Sequence, residues 1–296
     1  MPDLPVVWQA LVSGILMGGI YALVAAGFTL IFGVLKIMNF AYGEFVMLGM
    51  YATFLAYTLG GVDPYLSLAL VLPAFFLLGI VVQRLLIDRI LDAPDDMQMI
   101  LTFGLLILIS NLALFFFTSD LQGIRVGYLD RIITFGGAFF RSALLYAFVW
   151  ALGLLAATYL FIRRSRLGRA VRATADDRFA ARVVGLPVRA VFWITFGLGS
   201  AIGAASGSIL LPYLPASPDR GFEFTLLAII VVVLGGMGSF VGALVGGLAI
   251  GLTRSLGQVF ISAVLSDALS LFVVLVILLV RPAGLFGAKV ARDVAI

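Results

Sequence analysis

The stretch VLGGMGSFVGALVGG, residues Val233–Gly247, lies inside an uncharged run that covers residues 224–253. A continuous helix over that run would be about 45 Å long at 1.5 Å per residue. The hydrocarbon core of a bilayer is only roughly 30 Å thick. The run contains three closely spaced glycines, Gly235, Gly236 and Gly238. Because glycine tolerates the backbone angles of a turn, the sequence predicts a break between a short limb near 224–234 and a second helix near 239–256.

A second reading of these glycines is close helix packing. Gly238, Gly242 and Gly246 recur every four residues, the spacing with which small residues let two membrane helices approach each other. The two readings are compatible. A broken helix at membrane depth must be buried in protein or face a water-filled cavity.

The composition surrounding this stretch is that of an integral membrane protein. Apolar residues make up 63% of the chain and charged residues 11%, and the mean hydropathy is +1.19. The chain has no Cys and no His, which excludes disulfides, thiol chemistry and the usual zinc and haem sites. We therefore expect no metal and no cofactor. The formal charge of +4 reflects loop topology and does not indicate a nucleic-acid partner.

The spacing of the charged residues predicts an all-α, polytopic bundle of about eight or nine membrane segments, forming one transmembrane domain over residues 1–296. Uncharged runs separate the charges, and they are continuous rather than alternating, so strands are not expected. Asp267 is the one charge inside the last of them. The runs cover residues 4–35, 45–62, 64–83, 97–119, 142–162, 190–218, 224–253 and 255–280.

The positive-inside rule orients these segments. Eight of the 19 Lys and Arg residues lie in the loop 163–189, which should therefore be cytoplasmic. The C-terminal tail contains Arg281, Lys289 and Arg292, so it should be cytoplasmic as well. An even number of crossings must connect the two, and the glycine break supplies the missing one. The result is nine segments with the N-terminus outside, and with Lys36 and the loop 84–96 inside.

The basic loop also contains the signals of a short helix, predicted over Ala175–Val184. Thr174 followed by Asp177 has the pattern of a helix start, and Gly185 is placed to end the helix. Phe179 and Val183 are four residues apart and share a face. A helix this short needs something to pack against. A purely topogenic, solvated loop is the alternative.

Several ordered motifs resemble the permease subunit of branched-chain amino acid ABC importers of the LIV type, over nearly the whole chain. They are YALVAAGFTLIFGVLKIMNFAYGEFVMLGMY (Tyr21–Tyr51), RRSRLGRAVRATADDRFAARVVGL (Arg163–Leu186), VVLGGMGSFVGALVGGLAIG (Val232–Gly251) and RPAGLFG (Arg281–Gly287). The resemblance implies cytoplasmic ATPase partners, a second and different permease subunit, an external solute-binding protein and a location in the bacterial inner membrane. It also implies that the short helix of the basic loop sits in a groove of the ATPase. The candidate coupling residues are then Arg169, Arg172, Asp176, Asp177, Phe179, Val183 and Gly185.

Two positions depart from the family pattern. Members commonly have His where this chain has Tyr42, and many have an acid where it has Arg254. Tyr42 retains a hydrogen-bonding tip but does not titrate near neutrality. The departure leaves the solute open, with urea or a short amide as the alternative to branched-chain amino acids.

Two clusters are candidates for the translocation pathway: Asn39, Tyr42, Gly43 and Glu44, and Gly235, Gly236, Gly238 and Ser239. Intramembrane acids are functional candidates, although Glu44 could instead cap a helix beginning near Gly43 at the cytoplasmic interface. Backbone N–H groups before Ser239 could hold a carboxylate, or this region could form a polar, weakly selective passage. Asp267 is expected to mark the outer end of the last span.

The outer loops Asp120–Arg141 and Tyr213–Glu223 are expected to face the binding protein. The chain should not be an enzyme, because Lys36 and Lys289 lack the glycine-rich loop of a nucleotide site. An ion-coupled carrier would need more intramembrane carboxylates than Glu44 and Asp267, and a membrane scaffold would have little use for a broken helix.

Overall fold

A computed structural model describes residues 4–287 and shows eleven α-helices and one β-hairpin within them. Asp3, Lys289 and Arg292 lie outside the described residues. A short 3₁₀ turn, Ile87–Arg89, follows the third helix. The helices are α1 Leu4–Leu35, α2 Tyr42–Gly60, α3 Leu68–Leu85, α4 Asp95–Phe117, α5 Ser142–Arg164, α6 Arg166–Asp176, α7 Arg178–Val183, α8 Val188–Leu210, α9 Arg220–Gly235, α10 Phe240–Phe260 and α11 Ala263–Val280, and the strands are β1 Ile132–Phe135 and β2 Ala138–Arg141.

Six helices of the described chain are long and apolar enough to cross a membrane, namely α1, α3 with its 3₁₀ turn, α4, α5, α8 and α10. This confirms the prediction of a polytopic helical membrane protein. The helix α9 has 16 residues, and α2 has the charged Glu44 in its first turn. The count of eight or nine segments depends on helices such as these.

The helix α1 lies at the centre of the bundle and packs on α10, α8, α5 and α9. Glycines bring α1 and α10 together: a Cβ atom on Gly18 would lie 2.8 Å from Leu248 Cα, and one on Gly247 would lie 2.5 Å from the Ala22 backbone. Gly242 and Gly246 face α9 instead. The small-residue pattern is therefore used for packing as well as for the break.

The hairpin corrects the expectation that the chain has no strands. The strands β1 and β2 pair antiparallel, with Phe135 opposite Ala138. Gly136 and Gly137 connect them with φ of +57° and +86°, as a two-residue hairpin turn with positive φ at both positions requires. Two glycines between short apolar runs are the local signal for this turn.

The connecting loops gather at the two ends of the bundle. At one end, which we call the basic end, Trp193 Nε1 donates to Asp88 Oδ2 at 2.6 Å, and Arg178 donates to the Leu35 carbonyl. These contacts join the turn after α3 to α8, and α7 to the end of α1. At the opposite end, the hairpin end, Gln122 pairs with Ala216 and joins the two long connections.

Candidate functional site

The predicted break separates α9 from α10 at the basic end. Gly236 and Gly238 have φ of +101° and +87°, which L side chains rarely adopt. Ser239 is the N-cap of α10, and its Oγ accepts a hydrogen bond from the Gly242 N–H at 3.0 Å. The break has the predicted position, and the backbone conformation favours glycine at positions 236 and 238.

The RPAGLFG motif at 281–287 packs on this break, a contact that sequence reasoning did not predict. The N–H groups of Leu285 and Phe286 donate to the carbonyls of Leu234 and Gly235, each at 2.9 Å. Carbonyls at a helix C-terminus lack partners within the helix, and this segment supplies partners to the last turn of α9. A Cβ on Gly236 would lie 2.2 Å from the backbone N of Gly287. The two motifs thus form one structural unit.

Residues 39–44 form a buried polar turn that leads into α2. The Asn39 Oδ1 accepts from the Ala41 N–H at 3.1 Å, and the Gly43 N–H donates to Thr225 Oγ1 of α9 at 2.8 Å. The same Thr225 hydroxyl donates to the Phe40 carbonyl at 2.9 Å. The turn is therefore fastened to α9 by hydrogen bonds rather than exposed at a membrane interface.

Glu44 occupies the first turn of α2 but is fully buried and makes no capping hydrogen bond. Ser110 Oγ of α4 donates to its Oε1 at 3.1 Å, and its Oε2 has no hydrogen-bond partner. The carboxylate lies against Gly221 of α9, where a Cβ would come within 2.2 Å of Oε1. Glu44 thus lies in the first turn of α2, as the capping alternative expected, but its side chain bonds to α4 and not to the α2 backbone.

Tyr42 is also fully buried. Its hydroxyl donates to the Val24 carbonyl of α1 at 2.6 Å, and its ring packs edge-on against Phe28, with centroids 5.5 Å apart. Gly27 and Gly203 make room for the ring. In this conformation Tyr42 fills the space between α1 and α8.

The basic loop contains two helices, α6 and α7, where one was predicted over Ala175–Val184. Thr174 lies within α6 and is buried, so it is not the cap. Asp177 is the cap: its Oδ1 accepts from the N–H groups of Phe179 and Ala180 at 2.7 and 3.0 Å. The helix start was therefore predicted three residues early.

The end of α7 is as predicted. Gly185 has φ of +81°. Its N–H donates to the Arg182 carbonyl at 3.0 Å, and the Leu186 N–H donates to the Ala181 carbonyl at 3.0 Å. This paired pattern is a Schellman motif, in which glycine provides the left-handed residue.

The helix α7 presents an apolar face outward and is held to the bundle on its other side. Phe179 and Val183 are 76% and 72% exposed, whereas Ala181 is 3% exposed. Arg178 donates to the Leu35 carbonyl at the end of α1, and its guanidinium lies 5.1 Å from the centre of the Phe192 ring. Burial, reinforced by neighbouring Arg182, lowers the pKa of Arg178, and Asp92 opposes this.

A cavity of about 700 Å³ at the basic end brings together residues from both predicted sets. It lies beside the break, between α1, α5 and α6. Arg169 is exposed outside it. The polar and glycine residues that line the cavity are Thr29, Gly33, Lys36, Tyr159, Arg163, Arg172, Asp176 and Gly238.

The turn at 39–44 is not part of this cavity. It contacts α9 near Thr225, ten residues before Gly235 and hence about 15 Å further along the helix axis. The two candidate pathway clusters therefore flank the two halves of α9.

Asp267 is not an isolated intramembrane charge. Its Oδ1 lies 3.0 Å from Arg254 Nε of α10, and the Arg254 guanidinium lies 5.5 Å from the centre of the Tyr21 ring. Arg254, one of the departures from the family pattern, thus pairs with the acid of the next helix. Within residues 4–287 no cluster of acids is arranged to hold a metal ion.

These features define a polytopic helical membrane protein with a broken helix and an outward-facing short helix at its basic end. The family model described as the permease component of branched-chain amino acid transport systems matches residues 10–280. The chain therefore belongs to this family of ABC transporter permeases. It is a multi-pass inner-membrane subunit, and such a permease is not itself an enzyme.

Three curated relatives are similar over almost their full length. The high-affinity branched-chain amino acid transport system permease protein BraD of Pseudomonas aeruginosa is 31% identical, over 97% of this chain and 98% of that protein. LivH of Escherichia coli K12 is 31% identical, over 94% and 95%. The probable LivH of Methanocaldococcus jannaschii is 24% identical, over 93% and 91%. No solved structure matches the chain significantly.

Proposed function

We propose that this chain is the transmembrane subunit of an ATP-driven importer of branched-chain or related amino acids. The structural observation that supports this best is α7, a doubly capped helix whose apolar face, Phe179 and Val183, is exposed while Arg178 ties it to the end of α1. An exposed apolar patch on a short, fixed helix is typical of a surface that a partner covers. The names of the relatives supply the solute class.

Coupling to cytoplasmic ATPase subunits would occur through α7. Phe179 and Val183 would insert into the ATPase, and Asp177 and Gly185 would keep the helix in shape. Because Arg178 joins α7 to α1 and α1 packs against the glycine break, movement of α7 would reach the break directly. Of the other coupling candidates, Arg169 is exposed for contact, and Arg172 and Asp176 line the neighbouring cavity.

The solute would pass along α9. Its two halves are flanked by the polar turn Asn39–Glu44 and by the glycine break Gly235–Ser239, and both irregular segments are candidates for rearrangement during transport. Recognition would rest mainly on an external binding protein, with the hairpin end as its contact surface. A second, different permease subunit would complete the passage.

A nine-segment topology accompanies this proposal. The helices α1–α5 and α8–α11 would cross the membrane alternately, with the N-terminus outside and the loop 163–189 in the cytoplasm. The short α9 and the Glu44-bearing α2 would be spans shielded by their neighbours. All of residues 1–296 would form one permease domain.

Urea or a short amide is the alternative solute within the same class. An ion-coupled carrier is less well supported, because Asp267 is paired with Arg254 and Glu44 accepts a hydrogen bond from Ser110. The deciding experiment is reconstitution of the chain with its candidate ATPases and second permease in liposomes. ATPase activity would be measured with binding protein and leucine, isoleucine, valine or urea.

Stimulation by a branched-chain amino acid is the expected result. Stimulation by urea alone would move the chain to the alternative solute. Uptake driven by an ion gradient in the absence of ATPase subunits would refute the proposed function.

A further inference from the structure

The cavity at the basic end has an unbalanced cationic lining. Lys36, Arg163 and Arg172 line it together with a single acid, Asp176, so three positive charges face one negative charge. Within residues 4–287 none of the three cations forms an ion pair, since the ion pairs there involve Arg141, Arg220 and Arg254. The cavity therefore offers positive charge to an occupant.

A second cavity, of about 450 Å³, adjoins the first. It is a groove between residues 152–159 of α5 and residues 240–244 of α10, and its lining is apolar apart from the Tyr159 hydroxyl. Tyr159 and Phe240 line both cavities. The groove extends about 10 Å along α5 from Tyr159 to Leu152 at 1.5 Å per residue. The two cavities form one site with a cationic end and an apolar end.

A buried hydroxyl in the cationic cavity lacks a partner. Thr29 is 2% exposed, lines the cavity, and its Oγ1 makes no hydrogen bond. Buried polar side-chain atoms nearly always have a partner from protein, water or ligand. Thr29 is thus an unpaired polar group in the wall of the cationic cavity.

We propose that this site binds an anionic glycerophospholipid. Its phosphate would lie against Lys36, Arg163 and Arg172, and one acyl chain would follow the groove between α5 and α10. Basic pockets between membrane helices on the cytoplasmic side suit anionic headgroups, and tyrosine is common where headgroup meets hydrocarbon. A zwitterionic amino acid needs balanced charges and would leave the apolar groove empty. The inference goes beyond the proposed function and does not depend on the solute.

The test uses the purified full-length chain in mild detergent, with lipid binding followed by native mass spectrometry and by thermal stabilisation. The probes are phosphatidylglycerol, phosphatidylcholine, inorganic phosphate and leucine. Phosphatidylglycerol should bind more tightly than phosphatidylcholine. Equal binding of the two lipids, or displacement of phosphatidylglycerol by leucine or phosphate at equal concentration, would overturn the proposal.

Two pairs of variants locate the headgroup. At about 1 kcal/mol per basic side chain near an anionic lipid, Lys36→Gln with Arg163→Gln should weaken phosphatidylglycerol binding about 25-fold, since 1.4 kcal/mol is tenfold. Arg89→Gln with Arg166→Gln removes the same charge from the same end but outside the cavity. An equal loss of phosphatidylglycerol binding in this control pair would show that any positive charge at the basic end has the same effect, and it would refute the site.

The groove has its own matched pair. Ala156→Trp would fill the groove and should reduce lipid retention, whereas Ala157→Trp, on the next residue and outside the lining, should not. This pair tests the site even where the charge variants fail to fold. If the second permease instead covers the groove, assembly of the complex would expel the bound lipid, and the proposal would be wrong for the transporter.

Discussion

Gly236 and Gly238 both have positive φ, but their surroundings differ. A Cβ on Gly236 would overlap the backbone of Gly287, whereas the nearest atom to one on Gly238 would be Gly33 Cα at 3.6 Å. Each substitution to Ala should incur backbone strain of about 1–3 kcal/mol. Gly236→Ala must in addition displace the 281–287 segment.

We therefore expect Gly236→Ala to lower the apparent unfolding temperature more than Gly238→Ala, and Gly236→Leu to abolish transport. Fluorescence-monitored thermal unfolding in detergent and uptake in liposomes measure the two effects. Equal stability of the two Ala variants would show that the contact with Gly287 contributes little. Full uptake by Gly236→Leu would remove the break from the mechanism.

Because Glu44 is buried, we expect two substitutions at this position to differ in their effect on stability. Glu44→Gln keeps an oxygen that can accept from Ser110 Oγ and removes a buried charge, so we expect its unfolding temperature to equal or exceed that of the parent protein. Glu44→Ala leaves the Ser110 hydroxyl unpaired and should be less stable by about 1–3 kcal/mol. A less stable Gln variant would mean that the charge itself is stabilised, by a partner other than Ser110.

The exposed face of α7 gives the main prediction at the scale of an element. Phe179→Asp should leave the chain folded in the membrane, because the side chain is 76% exposed, and should uncouple ATP hydrolysis from uptake. Leu167→Asp is the control, since Leu167 is 46% exposed on α6 in the same loop. Both rates are measured in reconstituted liposomes. Normal coupling in Phe179→Asp, or equal uncoupling in Leu167→Asp, would contradict the role assigned to α7.

The sequence predicted correctly those features that neighbouring residues alone determine. The break at Gly235–Gly238 and the end of α7 at Gly185 follow from backbone angles that glycine alone adopts readily. The start of α7 was predicted too early because Thr174 and Asp177 both fit a cap. The choice depended on the burial of Thr174, which is a tertiary property. The hairpin had its Gly-Gly signal, but the surrounding apolar composition favoured helices throughout.

Contacts between distant segments could not be read from the sequence. RPAGLFG was found as a motif, but the pairing of Leu285 with Leu234 requires that α11 return the chain to the end of α9. In the same way, the partners of Glu44 and Asp267 come from other helices, at Ser110 and Arg254. A single sequence reports which residues are unusual for their surroundings, and the fold decides which of them meet.

At the scale of the whole molecule, the nine-segment topology is open to a direct test because the chain contains no cysteine. Every introduced cysteine is then a unique label site. Asp120→Cys and Ile261→Cys should react in intact cells with a membrane-impermeant maleimide, whereas Met237→Cys and Ala173→Cys should react only after permeabilisation. All four positions are exposed, so differences in labelling report the side of the membrane.

Met237 and Ile261 are the two decisive positions, because Met237 precedes α10 and Ile261 follows it. If the break were a packing feature inside one long span, the start of α9 and the end of α10 would lie on opposite sides of the membrane. Met237 would then lie inside the membrane and be protected from the reagent under all conditions. Labelling of Met237→Cys from the cytoplasm, together with external labelling of Ile261→Cys, requires that α9 and α10 are separate crossings. That arrangement returns α11 to the cytoplasmic side, where the 281–287 segment reaches the end of α9.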